Sequence, residues 1–135
     1  MKKMSEENGS VLILKRVYFS DITYTYRVEN QKQKMEYLFD FEKQIEEISE
    51  NIYRVSLTCR IEDSDKEIEL NIKEVGEFEC LEKDEKIRHT ILNENAIAIL
   101  FPYLRSQICL VTTQPEQLPI SLPAFNIISL FEWVF

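Results

Sequence analysis

The sequence predicts an α+β domain: a four-stranded antiparallel sheet packed with a long kinked helix and a short C-terminal helix. Three observations predict it. Apolar residues recur with period two through most of the chain up to residue 80, the pattern of half-buried strands. The spacing then turns helical, and Pro115, Pro119 and Pro123 separate two helical segments. Charge follows the same division: the last 40 of the 135 residues hold only Arg105, Glu116 and Glu132, and the other 37 charged side chains fall in residues 1–95. A chain of this length is read as one domain, residues 1–135, with residues 1–10 expected to be disordered.

Val11 to Val28 reads as a long strand with apolar side chains on both faces. Simple alternation puts Leu12, Leu14, Tyr18, Ile22, Tyr24 and Tyr26 on one face, with Ile13, Val17, Phe19, Asp21, Thr23 and Thr25 on the other. Glu29 to Lys34 is a polar connector. Met35 to Phe41 is a second strand carrying Tyr37, Phe39 and Phe41 on one side, and Gln44 to Asn51 fits a loop or a helical turn. The third strand alternates strictly: Tyr53, Val55, Leu57, Cys59 and Ile61 face inward, against Arg54, Ser56, Thr58, Arg60 and Glu62. Asp63-Ser64-Asp65-Lys66 is a polar hairpin turn. Ile68, Leu70 and Ile72 then point inward, and Val75-Gly76 is expected to break that phase as a bulge or bend before Phe78 and Cys80 resume it.

Asn93 or Asn95 caps a helix expected to run from Ala96 to about Thr113. It has no wide polar face, which predicts burial on more than one side, and Pro102 should kink it. The prolines enforce an extended connector, after which Asn126 caps a short helix with Ile127, Leu130, Phe131 and Val134 at helical spacing.

Composition excludes several functions. A formal charge of −8 and a pI near 4.8 lack the basic footprint of a nucleic-acid reader. Two glycines, Gly9 and Gly76, leave no phosphate-cradling loop, and a single histidine, His89, leaves no multi-histidine metal site. Cys59, Cys80 and Cys109 form no C-x-x-C pair, which fits a reduced, cytoplasmic chain. The longest apolar run, Ala96 to Leu104, is too short for membrane insertion, and Val11 to Leu14 is too short for a signal-peptide core. Cys80 with His89 is the one conceivable nucleophile–base pair, yet nothing orients the imidazole. The acidic pairs lie in solvated charge runs. The expectation is a protein without catalysis, cofactor or metal.

Binding has better support. Tyr18, Tyr24, Tyr26, Tyr37, Phe39 and Phe41 in the first strands, with Phe131 and Trp133 near the end, exceed what this sheet and two helices readily hide. Surplus apolar surface implies self-assembly or capture of a partner.

Ile99-Leu100-Phe101-Pro102-Tyr103-Leu104-Arg105 resembles the ILFPYxR opening of the long helix in SecB, the bacterial protein-export chaperone family. Leu118-Pro119, Leu122-Pro123, Asn126 and Leu130-Phe131 follow at that family's spacing. Gly76-Glu77-Phe78, Lys15-Arg16-Val17-Tyr18 with Asp21-Ile22, and Ile52-Tyr53-Arg54-Val55 with Leu57 resemble its strands. The resemblance implies an ATP-independent holdase that keeps unfolded preproteins translocation-competent and passes them to the translocase motor SecA. It implies a homotetramer built as a dimer of dimers, with Tyr18, Ile99, Leu100, Tyr103, Leu104 and Ile108 at its interfaces. Client-groove positions fall on Tyr37, Phe39, Phe41, Leu130 and Phe131. Of the acidic SecA-docking positions Asp21 is retained, Thr25 and Asn71 stand at others, and Glu69 lies beside them. The connector and final helix are shorter than in the family, and Ser106 replaces the carboxylate after its arginine. A second reading is therefore a SecB-like chaperone dedicated to one client, such as an antitoxin or a mobile-element protein, without translocase docking. A third is a small-ligand binder or enzyme built on a closed apolar cavity.

Overall fold

The computed structural model describes residues 11–31 and 34–123. Strands β1 (Leu12–Tyr26), β2 (Tyr37–Ser49), β3 (Ile52–Asp63) and β4 (Ile68–Cys80) form one antiparallel sheet in the order β1-β4-β3-β2. Helix α1 (Glu85–Thr90) passes through a π-helical turn, Ile91–Asn95, into α2 (Ala96–Val111). The helix lies across one face of the sheet, so the architecture is the expected α+β one.

The central pair follows its sequence pattern closely. Tyr53, Val55, Leu57, Cys59 and Ile61 of β3 are buried against Leu92, Ala96, Ile97, Leu100, Phe101, Leu104 and Ile108 of the helix. In β4, Ile68, Leu70, Ile72, Glu74, Gly76, Phe78 and Cys80 are all buried in one unbroken phase, and the β3–β4 register has no shift. The expected break at Val75-Gly76 is absent. Glycine is required there for a different reason: a Cβ on Gly76 would lie 2.7 Å from Leu100 Cδ2 and 2.8 Å from Phe78 Cε1. The residue lets the helix approach the sheet rather than bending the strand.

The bulges lie in β1 instead. Its register with β4 shifts between Leu14 and Arg16 and again between Phe19 and Asp21, so Lys15 and Ser20 are extra residues. Each extra residue reverses the alternation. Val17 and Phe19 consequently pack on the core, while Tyr18 turns to the opposite face under the Arg16 guanidinium, 4.3 Å from its ring centroid. The simple alternation expected for this strand is thus corrected for those three residues.

Strand β2 continues through Ser49, where a loop or helical turn was expected at Gln44 to Asn51. Ile45 pairs with Val55 and Glu46 with Arg54. An edge strand tolerates this density of charge, which is why the apolar pattern fades there. Asn51 closes the hairpin with φ 66°, a conformation asparagine accepts readily.

The helix starts earlier than its apolar run. Asp84 caps it, accepting from the amides of Lys86 (3.0 Å) and Ile87 (3.1 Å), with Glu85 and the N-terminal dipole in favourable apposition. The segment Glu85–Asn95 is charged and largely exposed, with Leu92 its buried residue, so it carries little apolar signal. Pro102 sits inside α2; both it and Ala98, whose carbonyl it leaves without an amide, are exposed to water. Ile99, Tyr103 and Leu110 are also exposed, so among the described residues the helix is covered on one side only.

Beyond α2, the Thr112 hydroxyl donates to the Ile108 carbonyl (2.7 Å) and accepts from the Ile120 amide (2.8 Å), turning the connector back over the sheet. Ile120 and Leu122 are buried under it. The expected final helix, capped by Asn126, and the expected disorder of residues 1–10 lie outside the described residues.

Candidate functional site

Strand β2 is an edge of the sheet, and its helix-facing side carries Tyr37, Phe39, Phe41, Lys43 and Ile45 in register with β3. The aromatic residues differ in availability. Phe41 is buried and packs against Phe101, ring centroids 6.0 Å apart, with the Arg105 guanidinium 5.3 Å from the Phe101 ring. Phe39 and Tyr37 are half-buried. Phe41 therefore lies beneath this side of the strand, and Tyr37 and Phe39 present its surface.

At the Tyr37 end lies a cleft of about 480 Å³ lined by Tyr26, Val28, Met35, Tyr37, Ile68, Leu118 and Pro119, with Gln31, Lys34, Glu116 and Gln117 at its polar edge. Leu118, 86% exposed, forms an apolar rim. The connector is held here by tyrosines. Tyr24 donates to Gln117 Oε1, Gln117 Nε2 donates to the Tyr37 hydroxyl (3.2 Å), and Tyr26 donates to Glu116 (3.3 Å). Burial, then the neighbouring Tyr37, pushes the Tyr24 phenol up, and burial does the same for Tyr37. Both stay neutral and able to donate at physiological pH. Gln117 was not singled out from sequence: a glutamine in a proline-rich connector carries no pattern.

The other end of β2 borders a second cleft of about 460 Å³ between Lys43, Ile45, Glu47 and Tyr53 on the sheet and Glu85, Arg88, His89, Leu92 and Asn93 on the helix. Burial lowers the Lys43 ammonium pKa, and its Nζ donates to the Asn93 carbonyl (3.3 Å). His89 lies on α1. Cys80 is sealed in the core and His89 is exposed, so the two do not form a nucleophile–base site.

The expected assembly residues divide. Leu100, Leu104 and Ile108 are buried on the chain's own sheet, because the helix spends that side internally. Ile99 and Tyr103 remain outward, and Tyr18 lies on the outer sheet face. That outer face is polar: Arg54 reaches Glu46 (3.6 Å) and Glu77 (3.4 Å), and Lys15 reaches Glu79 (3.6 Å). Asp21 stands opposite Lys73 there, and Glu69 stands between Thr25 and Glu62. Leu130 and Phe131 lie outside the described residues. Among the described residues no helix is long and apolar enough to cross a membrane.

The site thus combines a polar outer face, an aromatic edge strand and an open cleft under a tethered connector. The family model for SecB, preprotein translocase subunit SecB, matches residues 5–133, and the chain belongs to that family of chaperones. The structure is similar to a SecB-like chaperone of Mycobacterium tuberculosis, solved in complex with a ChAD peptide from the HigA1 antitoxin. The TM-score is 0.73 at 12% identity, over 93% of this chain and 97% of that one. A Streptococcus agalactiae protein of unknown function aligns with TM-score 0.45 and 14% identity, over 84% of this chain and 97% of that one. No curated protein sequence matches the chain.

Proposed function

We propose that this SecB-family chaperone is an ATP-independent holdase that binds unfolded polypeptide, preproteins above all, along the β2 groove. The observation that carries the reading is the half-exposed aromatic row Tyr37 and Phe39 on an edge strand, opening into the Leu118-rimmed cleft. Apolar client side chains entering it each gain about 1.5–3 kcal/mol, offset by the cost of ordering the client. Phe41, Leu130 and Phe131 belong to the same proposed surface, Phe41 from beneath. A homotetramer, as a dimer of dimers, would multiply weak contacts by effective concentration. The outer edge of β1, unpaired among the described residues, and the exposed Ile99, Tyr103 and Leu110 are the surfaces available for it. Suppression of aggregation of a reduced, unfolded test protein, measured beside molecular mass in solution, tests the reading. A monomer that leaves aggregation unchanged overturns it.

For the destination of the client, export rests on Asp21 and Glu69 as the acidic positions that dock SecA. A second reading, a chaperone dedicated to one client such as an antitoxin, is favoured by Thr25 and Asn71 at the other docking positions and by Lys73 opposite Asp21. The antitoxin peptide on the mycobacterial relative points the same way. Titration with SecA at low salt separates the two: binding lost in Asp21→Lys supports export, and no binding supports the dedicated client. Both readings place the protein in the cytoplasm.

A further inference from the structure

The sequence reads residues 63–66 as nothing more than a polar hairpin turn, yet the structure gathers charge there. Asp63, Asp65 and Glu67 each bring a carboxylate oxygen to within 4.8 Å of the other two. A second observation is independent of that convergence. Asp63 is 1% exposed; its Oδ1 accepts from the amides of Glu67 (2.6 Å) and Ile68 (2.8 Å), while its Oδ2 is sealed from water with no hydrogen-bond donor. Capping the turn needs only Oδ1. A buried anionic oxygen without a donor is costly, and a cation is the group that would offset the cost.

We propose that the β3–β4 turn is a divalent-cation site, with Asp63, Asp65 and Glu67 as its protein ligands. The donors are all carboxylate oxygens, with no cysteine or histidine among them, so the site suits a hard ion, Ca²⁺ or Mg²⁺, with water completing the shell. Its position gives it a structural consequence. Asp63 pairs with Tyr37, the Ser64 amide donates to the Glu36 carbonyl (3.2 Å), and the Arg27 amide donates to the Glu67 carbonyl (2.7 Å). The turn thus ties together the ends of β1, β2 and β4 where Ile68 and Tyr37 line the cleft. An ion there fastens one end of the groove whatever client occupies it.

The test uses the full chain after chelator treatment, with CaCl₂ and MgCl₂ added separately, read by titration calorimetry and thermal melting. Saturable heat at one ion per chain and a melting temperature that climbs with ion concentration are expected. A response to Ca²⁺, to Mg²⁺ or to both identifies the ion, and each supports the site. Asp65→Asn changes an exposed side chain, so the ion-free melting temperature should hold while affinity falls at least about tenfold. Asp63→Asn, which keeps the Oδ1 acceptor, should lose the response as well. Absence of heat and of any shift up to about 10 mM of either salt, above the range of weak oxygen-ligand sites, overturns the proposal. An unchanged response in Asp65→Asn overturns it too, by placing the binding elsewhere on the acidic surface.

Discussion

The central strands β3 and β4 and the edge strand β1 share one sheet and obey different constraints. β3 and β4 are paired on both sides, and their register runs without a shift from Ile52 opposite Glu79 to Glu62 opposite Glu69. Among the described residues β1 is paired on one side only, and it takes in two extra residues. A slip in the centre would invert a face packed on the helix; at the edge an insertion changes the twist and is absorbed. The centre fixes the core, and the edges are free to carry curvature and binding surface.

Truncation in the centre should do the greatest damage. Leu57→Ala, fully buried opposite Glu74 and Lys43, is expected to cost about 2–5 kcal/mol in urea denaturation. The same loss from Val17→Ala on β1 would erase the contrast between centre and edge.

Glu74 is the exception within the centre, a carboxyl in an apolar phase with no hydrogen-bond partner on either oxygen. Burial pushes its pKa up to about 8 from 4.5. Folding therefore favours the protonated form. Its contribution is intact below pH 4.5 and is lost as pH rises through about 8. Relative to Glu74→Gln, the natural chain should lose up to a few kcal/mol between pH 5 and 9, measured as the difference between the two denaturation free energies. Parallel pH profiles would show that the carboxyl finds a partner in solution.

Gly76→Ala places its methyl carbon 2.7 Å from Leu100 Cδ2 and should cost about 1–3 kcal/mol through overpacking. An unchanged midpoint would mean that the helix backs away at no cost. Phe39→Ser on the edge should change stability by no more than about 1 kcal/mol and still weaken suppression of aggregation several-fold. Equal loss of stability and holding would place Phe39 in the core instead.

What could be read in the sequence follows the same division. The period of two in Tyr53–Ile61 and in Ile68–Ile72 survives because burial on one face and solvent on the other act at every residue. In β1, Lys15 and Ser20 resemble ordinary outward residues, so nothing in a single sequence announces that they reset the phase of Val17, Tyr18 and Phe19. Val75-Gly76 suggested a bend because the inward positions there hold Glu74 and Gly76 rather than apolar side chains, yet the register runs on without a shift. The first turns of the helix were hidden because most of Glu85–Asn95 faces water, so the cap was expected at Asn93 or Asn95 where the structure has Asp84. The shared face of Tyr37, Phe39 and Phe41 was legible from alternation. Gln117 was not, since its role depends on phenols that fold back to it from far along the chain.

That distance in sequence has a kinetic meaning. Gln117 bonds Tyr24 and Tyr37, 93 and 80 residues away, and the two phenols belong to opposite edges of the sheet. The amide has no second partner to grip until both edge strands are in place. Loop-closure entropy makes such long-range contacts slow to form, so the cleft is a late product of folding. The newly made chain acquires its sheet before it acquires the cleft beside it.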